Sequence, residues 1–274
     1  MHYKKYAPSA DLTPFVECYF VWEGEAKERT EVQSPPNNRG AIVFNYGDPT
    51  WATQHSTTEV SVPEAFICGL FTSNYQRILL GRIGMFGIVF KVPAIHNFFG
   101  LRMSTLVNAR MPLELLLEKD QASLPEKMKN ATDVETRISL SEQFLLPRVP
   151  AAKANLTIID EAHAWIDEKN GLVTVDEVAD KFGISKRYLE KQFLIKVGVS
   201  PKFYARMKRF TNLSLKVAYD ETIDWQDIVF QNGFHDQSHL VKEFMEFNKQ
   251  SPTSYHRNHH EMTRFVKGKE ENQP

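Results

Sequence analysis

One short stretch in the C-terminal third of the chain carries side chains that can hydrogen-bond to nucleic-acid bases. It begins at Ser185 and presents Lys186, Arg187, Glu190 and Lys191. Arginine and lysine donate to O6 and N7 of guanine, and glutamate accepts from the amino group of cytosine. Glu190 has an alternative role as an intrahelical partner of Lys186 or Lys191.

A second stretch, some fifty residues further on, has the same character. Asp236 is the predicted N-cap of a helix that presents Gln237, Ser238, His239, Val241 and Lys242. Glutamine can pair with adenine through two hydrogen bonds, and serine or histidine can contact either a base or a phosphate. The two stretches together are typical of surfaces that distinguish one base pair from another.

The charge of the chain is segregated in a way that fits such surfaces. The formal net charge is −1, from 33 basic and 34 acidic residues, which by itself argues against a nucleic-acid-binding protein. Residues 185–216, however, contain nine Lys or Arg and a single acid, Glu190. Residues 217–236 contain five acids and no Lys or Arg. A charge run is also typical of a solvated helix face, so the charge alone leaves both interpretations open.

Four basic residues within or just after the first stretch are predicted to face phosphates or solvent. They are Lys196, Lys202, Arg206 and Lys208. Phosphate contacts would set the affinity and its salt dependence, not the sequence preference.

Helix start and stop signals divide this region into short helices. Thr174 and Glu177 form a capping-box pattern, and Gly183 is a stop signal. Ser185 is a second N-cap, and Gly198 is the stop of that helix. The Ser-Pro pair at 200–201 then predicts the start of a longer basic helix that extends to about residue 219.

This pattern occurs twice, which makes it far more informative than a single helical hairpin. Thr174, Val178, Ala179 and Gly183 recur fifty residues later as Asp224, Ile228, Val229 and Gly233. Leu189, Phe193, Ser200, Pro201 and Tyr204 recur after 51 residues as Leu240, Phe244, Ser251, Pro252 and Tyr255. Each copy predicts a helix, a short glycine turn and a second helix, the arrangement whose second helix enters the major groove of DNA.

Residues 172–257 resemble the tandem helix-turn-helix domain of the AraC/XylS family of transcription regulators. The most specific part is IVFQNGFHDQSHLVKEFMEFNKQSPTSYHR at 228–257. The resemblance implies that a helix over Pro201–Tyr219 joins the units and places both recognition helices in adjacent major grooves of double-stranded DNA. It also implies RNA polymerase as a partner, and a role for Arg209 either in DNA contact or between the units. By position, the family's base-contacting sites fall on Arg187, Glu190 and Lys191 in the first unit, and on Gln237, Ser238, His239 and Lys242 in the second. Ser185 and Lys186 complete the predicted DNA-binding set.

Two positions depart from the family pattern. Val229 stands where the second unit usually has alanine, and Lys249 stands where the stop before Ser-Pro is usually glycine, as at Gly198. Only glycine takes the left-handed conformation without penalty, so Asn248 is an alternative end for that helix.

The first hundred residues predict a different architecture. Short runs rich in β-branched and aromatic residues, at 15–22, 41–46, 60–71 and 75–92, are separated by turn-forming sequences. Their spacing favours an antiparallel barrel or sandwich, followed by helices at 94–100, 112–118 and 131–145. The run at 62–100 is similar to the sensor-like domain of one branch of the family, which implies a barrel that binds a small effector, mediates homodimerisation, or both.

The predicted fold class is therefore α+β in two domains. An effector-binding or dimerisation domain is expected at 1–150, the DNA-binding domain at 151–260, and a disordered polar tail at 261–274. Pro147 and Pro150 flank the boundary, residues 151–155 are expected to connect the domains, and Asn155 is expected to cap the next helix.

Composition and motifs also bear on localisation, metal binding and enzymatic activity. No apolar run is long enough to cross a membrane and no export signal precedes the first strand, so a cytoplasmic protein is expected. Cys18 and Cys68 are expected to be buried thiols, and the cluster of His256, His259 and His260 favours only adventitious metal affinity. We expect no cofactor and no enzymatic activity. The alternative is a cupin-like metal-dependent enzyme with an accessory helical domain.

Overall fold

The structure, a computed structural model, describes residues 1–53, 58–219 and 223–258. An antiparallel sheet occupies the N-terminal part, and helices occupy the remainder, as the predicted α+β class requires. The strands are β1 (His2–Tyr6), β2 (Val16–Ser34), β3 (Gly40–Asn45), β4 (Trp51–Thr53), β5 (Val60–Ser61), β6 (Ala65–Cys68), β7 (Tyr75–Phe90) and β8 (Arg110–Pro112). They hydrogen-bond in the order β1-β2-β7-β3-β6-β8, and β4 pairs with both β5 and β7. With β1 and β8 at opposite ends of that order, the sheet is open.

The two longest strands, β2 and β7, pair with each other along most of their length. Their register extends from Val16 opposite Phe90 to Ser34 opposite Tyr75, with an irregularity between Ala26 and Thr30. Side chains alternate between two faces, because successive residues of a strand point in opposite directions. Val21, Ile42, Ile67, Phe86 and other residues of one face are buried against the helices that follow the sheet. The opposite face holds a separate cluster of Val43, Phe66, Cys68, Phe71 and Tyr75.

The helices that cover the sheet lie between residues 94 and 154. They are α1 (Ala94–Phe99), α2 (Leu124–Asn130), α3 (Val134–Leu145) and α4 (Val149–Ala154). Of the three helices predicted in this region, α1 and α3 are confirmed. The predicted helix at 112–118 is only a 3-10 turn over Leu113–Leu115, and α2 was missed.

The region around the predicted domain boundary is helical. Residue 150 lies inside α4, and Val149 and Ala152 belong to the core beneath the sheet. The expected connection at 151–155 is therefore wrong, since it continues the N-terminal core. Asn155 does not cap the next helix either. Thr157 caps it, in a reciprocal pair with Asp160, while the Asn155 amide donates to the carbonyl of Asn97 over 2.8 Å.

The C-terminal region consists of seven helices within the described residues. They are α5 (Ile158–Glu168), α6 (Val175–Phe182), α7 (Lys186–Lys196), α8 (Pro201–Tyr219), α9 (Trp225–Gln231), α10 (Gln237–Asn248) and α11 (Pro252–Asn258). One continuous core joins them, to which α5, α7, α8 and α10 each contribute fully buried side chains. None of the helices in the described part of the chain is both long and apolar enough to cross a membrane.

Candidate nucleic-acid interface

The first helix-turn-helix unit consists of α6, a glycine turn and α7. The Thr174 side chain accepts from the Glu177 amide, and the Glu177 carboxylate accepts from the Thr174 amide over 2.7 Å. That hydrogen bond lowers the pKa of Glu177. Gly183 ends α6 with φ of 63°, a conformation that favours glycine, and the amide of Ile184 then donates to the carbonyl of Ala179 over 3.0 Å. The sequence signals for this turn are confirmed.

Helix α7 separates its buried residues from the predicted DNA-contacting residues. The Ser185 hydroxyl accepts from the Tyr188 amide over 3.2 Å, and Leu189 and Phe193 are fully buried. The predicted base-contacting side chains of this unit are all exposed; they are Lys186, Arg187, Glu190 and Lys191. One of them, Lys186, forms an ion pair with Asp176 on α6, which raises the pKa of Lys186.

The second unit, α9 and α10, repeats this geometry. Asp224 caps α9, and Gly233 adopts φ of 65° at the turn. The amide of Phe234 donates to the carbonyl of Val229 over 3.1 Å, the same bond as Ile184 makes in the first unit. The valine that departs from the family pattern therefore leaves the turn intact.

Helix α10 also presents its predicted contact residues on the surface. Asp236 accepts from the His239 amide over 2.8 Å, and Gln237, Ser238 and Lys242 are exposed. The fourth predicted residue, His239, is less free, because its Nε2 lies 3.7 Å from the buried carboxylate of Glu243.

Lys249 ends α10 with φ of 58°, so a lysine takes the left-handed position in which the family usually has glycine. Asn248 is the last helical residue and does not replace Lys249 in that conformation. Backbone strain is expected at this position, since Lys249 carries a Cβ.

Helix α8 holds the two units together. Tyr204, Met207, Phe210, Leu213 and Val217 along it have no exposed surface. The ring of Phe210 stacks on Phe247 at 4.7 Å and meets Phe244 edge-on at 5.0 Å, with both partners on α10. The ring of Tyr204 meets Phe193 of α7 at 5.9 Å. The connecting helix thus packs against both recognition helices, and we expect it to restrain their relative orientation.

Lys196 does not face phosphates or solvent, so that prediction is wrong. The residue is only 3% exposed. Its ammonium donates to Asp160 over 2.6 Å and to the carbonyl of Asn155 over 2.9 Å. Although burial raises the pKa of Asp160, the hydrogen bonds from Lys196 and Asn97 lower it overall. The lysine therefore offsets the charge of a half-buried carboxylate.

The basic residues of α8 differ in their freedom to reach DNA. Lys202 is exposed. Arg206 donates to Glu243 over 2.7 Å, and Lys208 lies 3.4 Å from Asp167. The Arg209 guanidinium lies 3.4 Å from Glu243, and it also covers the ring of Phe234 at 4.8 Å. These contacts of Arg209 are with residues of the second unit and favour a structural role over DNA contact.

The N-terminal region contacts α5 through polar groups and the end of α7 through close packing. The Asn97 amide of α1 donates to Asp160 of α5 over 2.6 Å, and Arg39 lies 3.2 Å from Asp167 of the same helix. At the end of α7, Gly198 has φ of 102°, and a Cβ there would lie 2.9 Å from the carbonyl oxygen of Met103. This approach leaves no room for a side chain at residue 198.

The N-terminal region also contacts the second unit. The backbone amide of Asn74 donates to the carbonyl of Phe247 over 3.0 Å, and its side-chain amide donates to the carbonyl of Asn248 over 2.6 Å. The Gln250 amide donates to Gln33 of β2 over 3.1 Å. The sheet domain thus touches the C-terminal ends of both recognition helices. Sequence reasoning missed these residues, because isolated Asn, Gln and Arg residues in loops carry no periodic or motif signal.

The two cysteines and the C-terminal histidine cluster are not among the predicted DNA-contacting residues. Cys68 is buried and Cys18 is partly buried, and burial raises the pKa of both thiols. Within the described residues, no group of three or more His, Cys, Asp or Glu side chains is arranged to hold a metal ion. His259, His260 and the predicted tail at 261–274 lie outside the described residues.

Comparisons with known proteins match both parts of the chain. Residues 4–112 match a family model described as a domain of unknown function (DUF6597), and residues 178–258 match one described as a helix-turn-helix domain. No curated protein sequence is significantly similar to the chain.

Several solved structures match most of the chain at low sequence identity. A structure of ToxT from Vibrio cholerae is 10% identical and has a TM-score of 0.45; the match covers 87% of this chain and 97% of that one. The apo form of a ToxT point variant from strain SCE256 of the same organism has the same identity and coverage, with a TM-score of 0.48. The AraC-like transcriptional activator CuxR is 15% identical over 77% of this chain and 86% of that one, with a TM-score of 0.21.

Two helix-turn-helix units on one connecting helix, within a region that matches a helix-turn-helix family model, define a DNA-binding domain. The duplicated turns and the motif at 228–257 resemble those of the AraC type. The chain is therefore a DNA-binding transcription regulator whose residues 178–258 form a helix-turn-helix domain of that type.

Proposed function

We propose that α7 and α10 recognise base pairs in two successive major grooves on one side of the DNA duplex. The observation that carries this proposal is the duplicated unit, whose second helix in each copy has a buried apolar side and an exposed polar side. Because α8 packs on both helices, they are presented together and not as independently moving modules. The operator would therefore consist of two blocks about one helical turn, roughly 10–11 base pairs, apart.

Base recognition is assigned to the exposed side chains of the two helices. Arg187 and Lys191 donate to guanine, Gln237 pairs with adenine, and Glu190 accepts from cytosine. Lys186, Ser185, Ser238, His239 and Lys242 complete the contact surface. His239 and Lys186 also contact acidic residues of the protein, so DNA binding would rearrange these contacts.

Phosphate contacts are assigned first to Lys202, which is exposed on α8. Arg206 and Lys208 are engaged with carboxylates within the protein, so they contribute a positive field more than direct contacts. Lys196 is left out of this set because its ammonium is buried in an ion pair.

The N-terminal domain is proposed to gate the DNA-binding domain. It contacts the ends of both recognition helices, through Met103 near Gly198 and through Asn74 at Asn248. A change in this domain would therefore alter the relative placement of the two units. We infer that a small-molecule effector or a second copy of the chain supplies that change, and that the regulated partner is RNA polymerase in the cytoplasm. No catalytic activity is assigned.

The test is selection of DNA fragments by the purified full-length chain at near-physiological salt, followed by sequencing of the retained fragments. An asymmetric motif of two blocks spaced by about one helical turn is the expected result. The matched control is the double variant Arg187→Ala with Gln237→Ala, which should lose the motif and, because both side chains are exposed, should keep the fold. A motif of a single block, or the same motif from the control, would contradict the proposal.

A further inference from the structure

Two arginines lie on the face of the sheet opposite the covering helices. Arg77 is on β7 and Arg110 is on β8, where it is paired with Cys68. They adjoin the separate cluster that contains Phe66, Phe71 and Tyr75. Among the described residues, neither guanidinium has a carboxylate within 4.0 Å, since neither arginine occurs in any ion pair there.

The acceptors that these arginines do have are neutral. Arg77 donates through Nε and Nη2 to the phenol oxygen of Tyr75, at 3.3 and 3.1 Å, and through Nη1 to the sulfur of Met85 at 3.4 Å. Arg110 makes fewer hydrogen bonds than Arg77, because its Nε and Nη2 atoms are buried without a hydrogen-bond acceptor. Guanidinium donors are normally matched by carboxylate or phosphate oxygens.

Aromatic rings surround both cations. The guanidinium of Arg110 lies 4.6 Å from the ring centre of Phe71, 4.7 Å from that of Tyr75 and 5.9 Å from that of Phe66. The guanidinium of Arg77 lies 6.0 Å from the ring of Trp22. Such contacts stabilise a cation only partly, and they leave the unused N–H donors of Arg110 without a partner.

The local field therefore favours negative charge. Although burial raises the pKa of Tyr75, the positive charges of Arg77 and Arg110 outweigh it and lower that pKa overall. Arg77 and Arg110 are both partly buried with no acid beside them among the described residues, and an unpaired charge withdrawn from solvent is destabilising. The same arrangement is well suited to receive an oxyanion.

We propose that Arg77 and Arg110 bind the carboxylate of a small organic acid, whose apolar body packs among Trp22, Phe66 and Phe71. This inference rests on the proposed function, since it assigns the chemical class of the effector. The unused Nε and Nη2 donors of Arg110 can form two parallel hydrogen bonds with a carboxylate, and Arg77 can join them by exchanging its hydrogen bonds to Tyr75. The surrounding rings select an apolar body over inorganic oxyanions.

The site is continuous with the contacts between the domains. Asn74, three residues before Arg77, holds the end of α10, and Leu70 packs in the core of the DNA-binding domain. Two residues before Arg110, the amide of Asn108 donates to the carbonyl of Leu70, and its side chain accepts from the amide of Thr72, both over 2.8 Å. A ligand that draws the two arginines together would therefore displace residues 70–74, the segment that contacts both the N-terminal domain and the DNA-binding domain.

The experiment is calorimetric titration of the full-length protein with benzoate and hexanoate. Their neutral isosteres benzamide and hexanamide, and inorganic phosphate, are titrated for comparison. Ligand is added to about 10 mM, at which a complex with a 1 mM Kd is about nine-tenths formed. We expect at least one carboxylate to bind, and the amides and phosphate to bind at least ten-fold more weakly.

Substitutions of the two arginines test whether they bind the carboxylate. Arg77→Met and Arg110→Met should each weaken carboxylate binding by about ten-fold or more, because each removes charged hydrogen bonds. Their thermal midpoints should equal or exceed that of the parent, which shows that they fold. Tyr75→Phe keeps both cations and should still bind, and Arg102→Met, at an exposed arginine, is the charge-matched control.

The outcomes separate this inference from the proposed function. Absence of binding by both carboxylates, equal binding of amides or phosphate, or unchanged binding in both arginine variants would overturn the assignment. DNA selection is performed on the same preparations with and without each carboxylate. A two-block motif with no carboxylate binding would refute only the ligand class, whereas failure to select any motif under both conditions would refute the proposed function irrespective of the titration.

Discussion

The side-chain amide of Asn74 donates to the main-chain carbonyl of Asn248 over 2.6 Å, which connects the loop before β7 to the last residue of the second recognition helix. The backbone amide of Asn74 adds a bond to Phe247. A residue of the N-terminal domain thus satisfies carbonyls that a helix end otherwise leaves without a donor. The second recognition helix is therefore capped in part by the other domain.

Replacement of Asn74 by alanine should loosen this restraint. One hydrogen bond contributes about 1 kcal/mol, so we expect roughly five-fold tighter binding to operator DNA without effector. Faster amide hydrogen exchange in α10 and α11 should accompany the change. Gln76→Ala, at an exposed residue two positions along, is the matched control. Unchanged or weaker DNA binding by Asn74→Ala would contradict gating through this contact.

Replacement of Lys196 by methionine should affect stability and not the salt dependence of DNA binding. The change leaves the carboxylate of Asp160 without its ammonium partner, and loss of one member of a buried pair costs about 3 kcal/mol. Denaturant unfolding measures this loss. Lys202→Met, at an exposed lysine of α8, should instead leave stability nearly unchanged and reduce the salt slope by about one. The reverse pattern would restore Lys196 to the phosphate-contacting set.

The C-terminal domain was predictable because its signals are local. Caps such as Ser185 and Asp236 and the turn glycines Gly183 and Gly233 act within four residues of their position, and all four occur as predicted. The exposure of the recognition residues followed from helical periodicity. Lys196 was misassigned because nothing in a basic run distinguishes a solvated lysine from one that reaches back to Asp160, 36 residues away.

The parts that were not predicted depend on contacts between distant segments. Asn74 and Asn248 are 174 residues apart, and Arg77 and Arg110 lie on different strands of the sheet. The sequence predicts the end of the N-terminal domain at residue 150 because proline interrupts regular structure, yet proline is also tolerated in the first turn of a helix such as α4.

Acidification should destabilise the protein through His163. Burial lowers the pKa of His163 from 6.5 to about 4, and the neutral ring packs 4.7 Å from that of Tyr204. Between these values the unfolded chain binds a proton that the folded chain does not, so stability falls as pH decreases from about 6.5 to about 4. Each pKa unit corresponds to about 1.4 kcal/mol, which gives a loss of about 3 kcal/mol in total.

The pH dependence can be assigned with one substitution. His163→Gln should flatten the dependence of unfolding free energy on pH in that window, whatever its effect on stability at neutral pH. Asp160 and Asp167, whose pKa values are lowered from 3.8, lose their contributions only at more acidic pH. The exposed His235→Gln variant is the comparison. A slope that persists in His163→Gln would show that other groups carry it.

Single substitutions in the recognition helices should change sequence preference at separate positions of the operator. Arg187→Ala and Gln237→Ala should each relax specificity at one base pair, in different blocks, and cost roughly 1–3 kcal/mol of binding to the preferred sequence. Both side chains are exposed, so the substitutions should leave folding intact. Because the two residues lie on different helices, their effects should add in the double variant. Binding to a panel of operators mutated at every position measures this, with Lys202→Ala as the control that weakens all sequences alike. If both variants keep the parental preference, bases are recognised by other residues of α7 and α10.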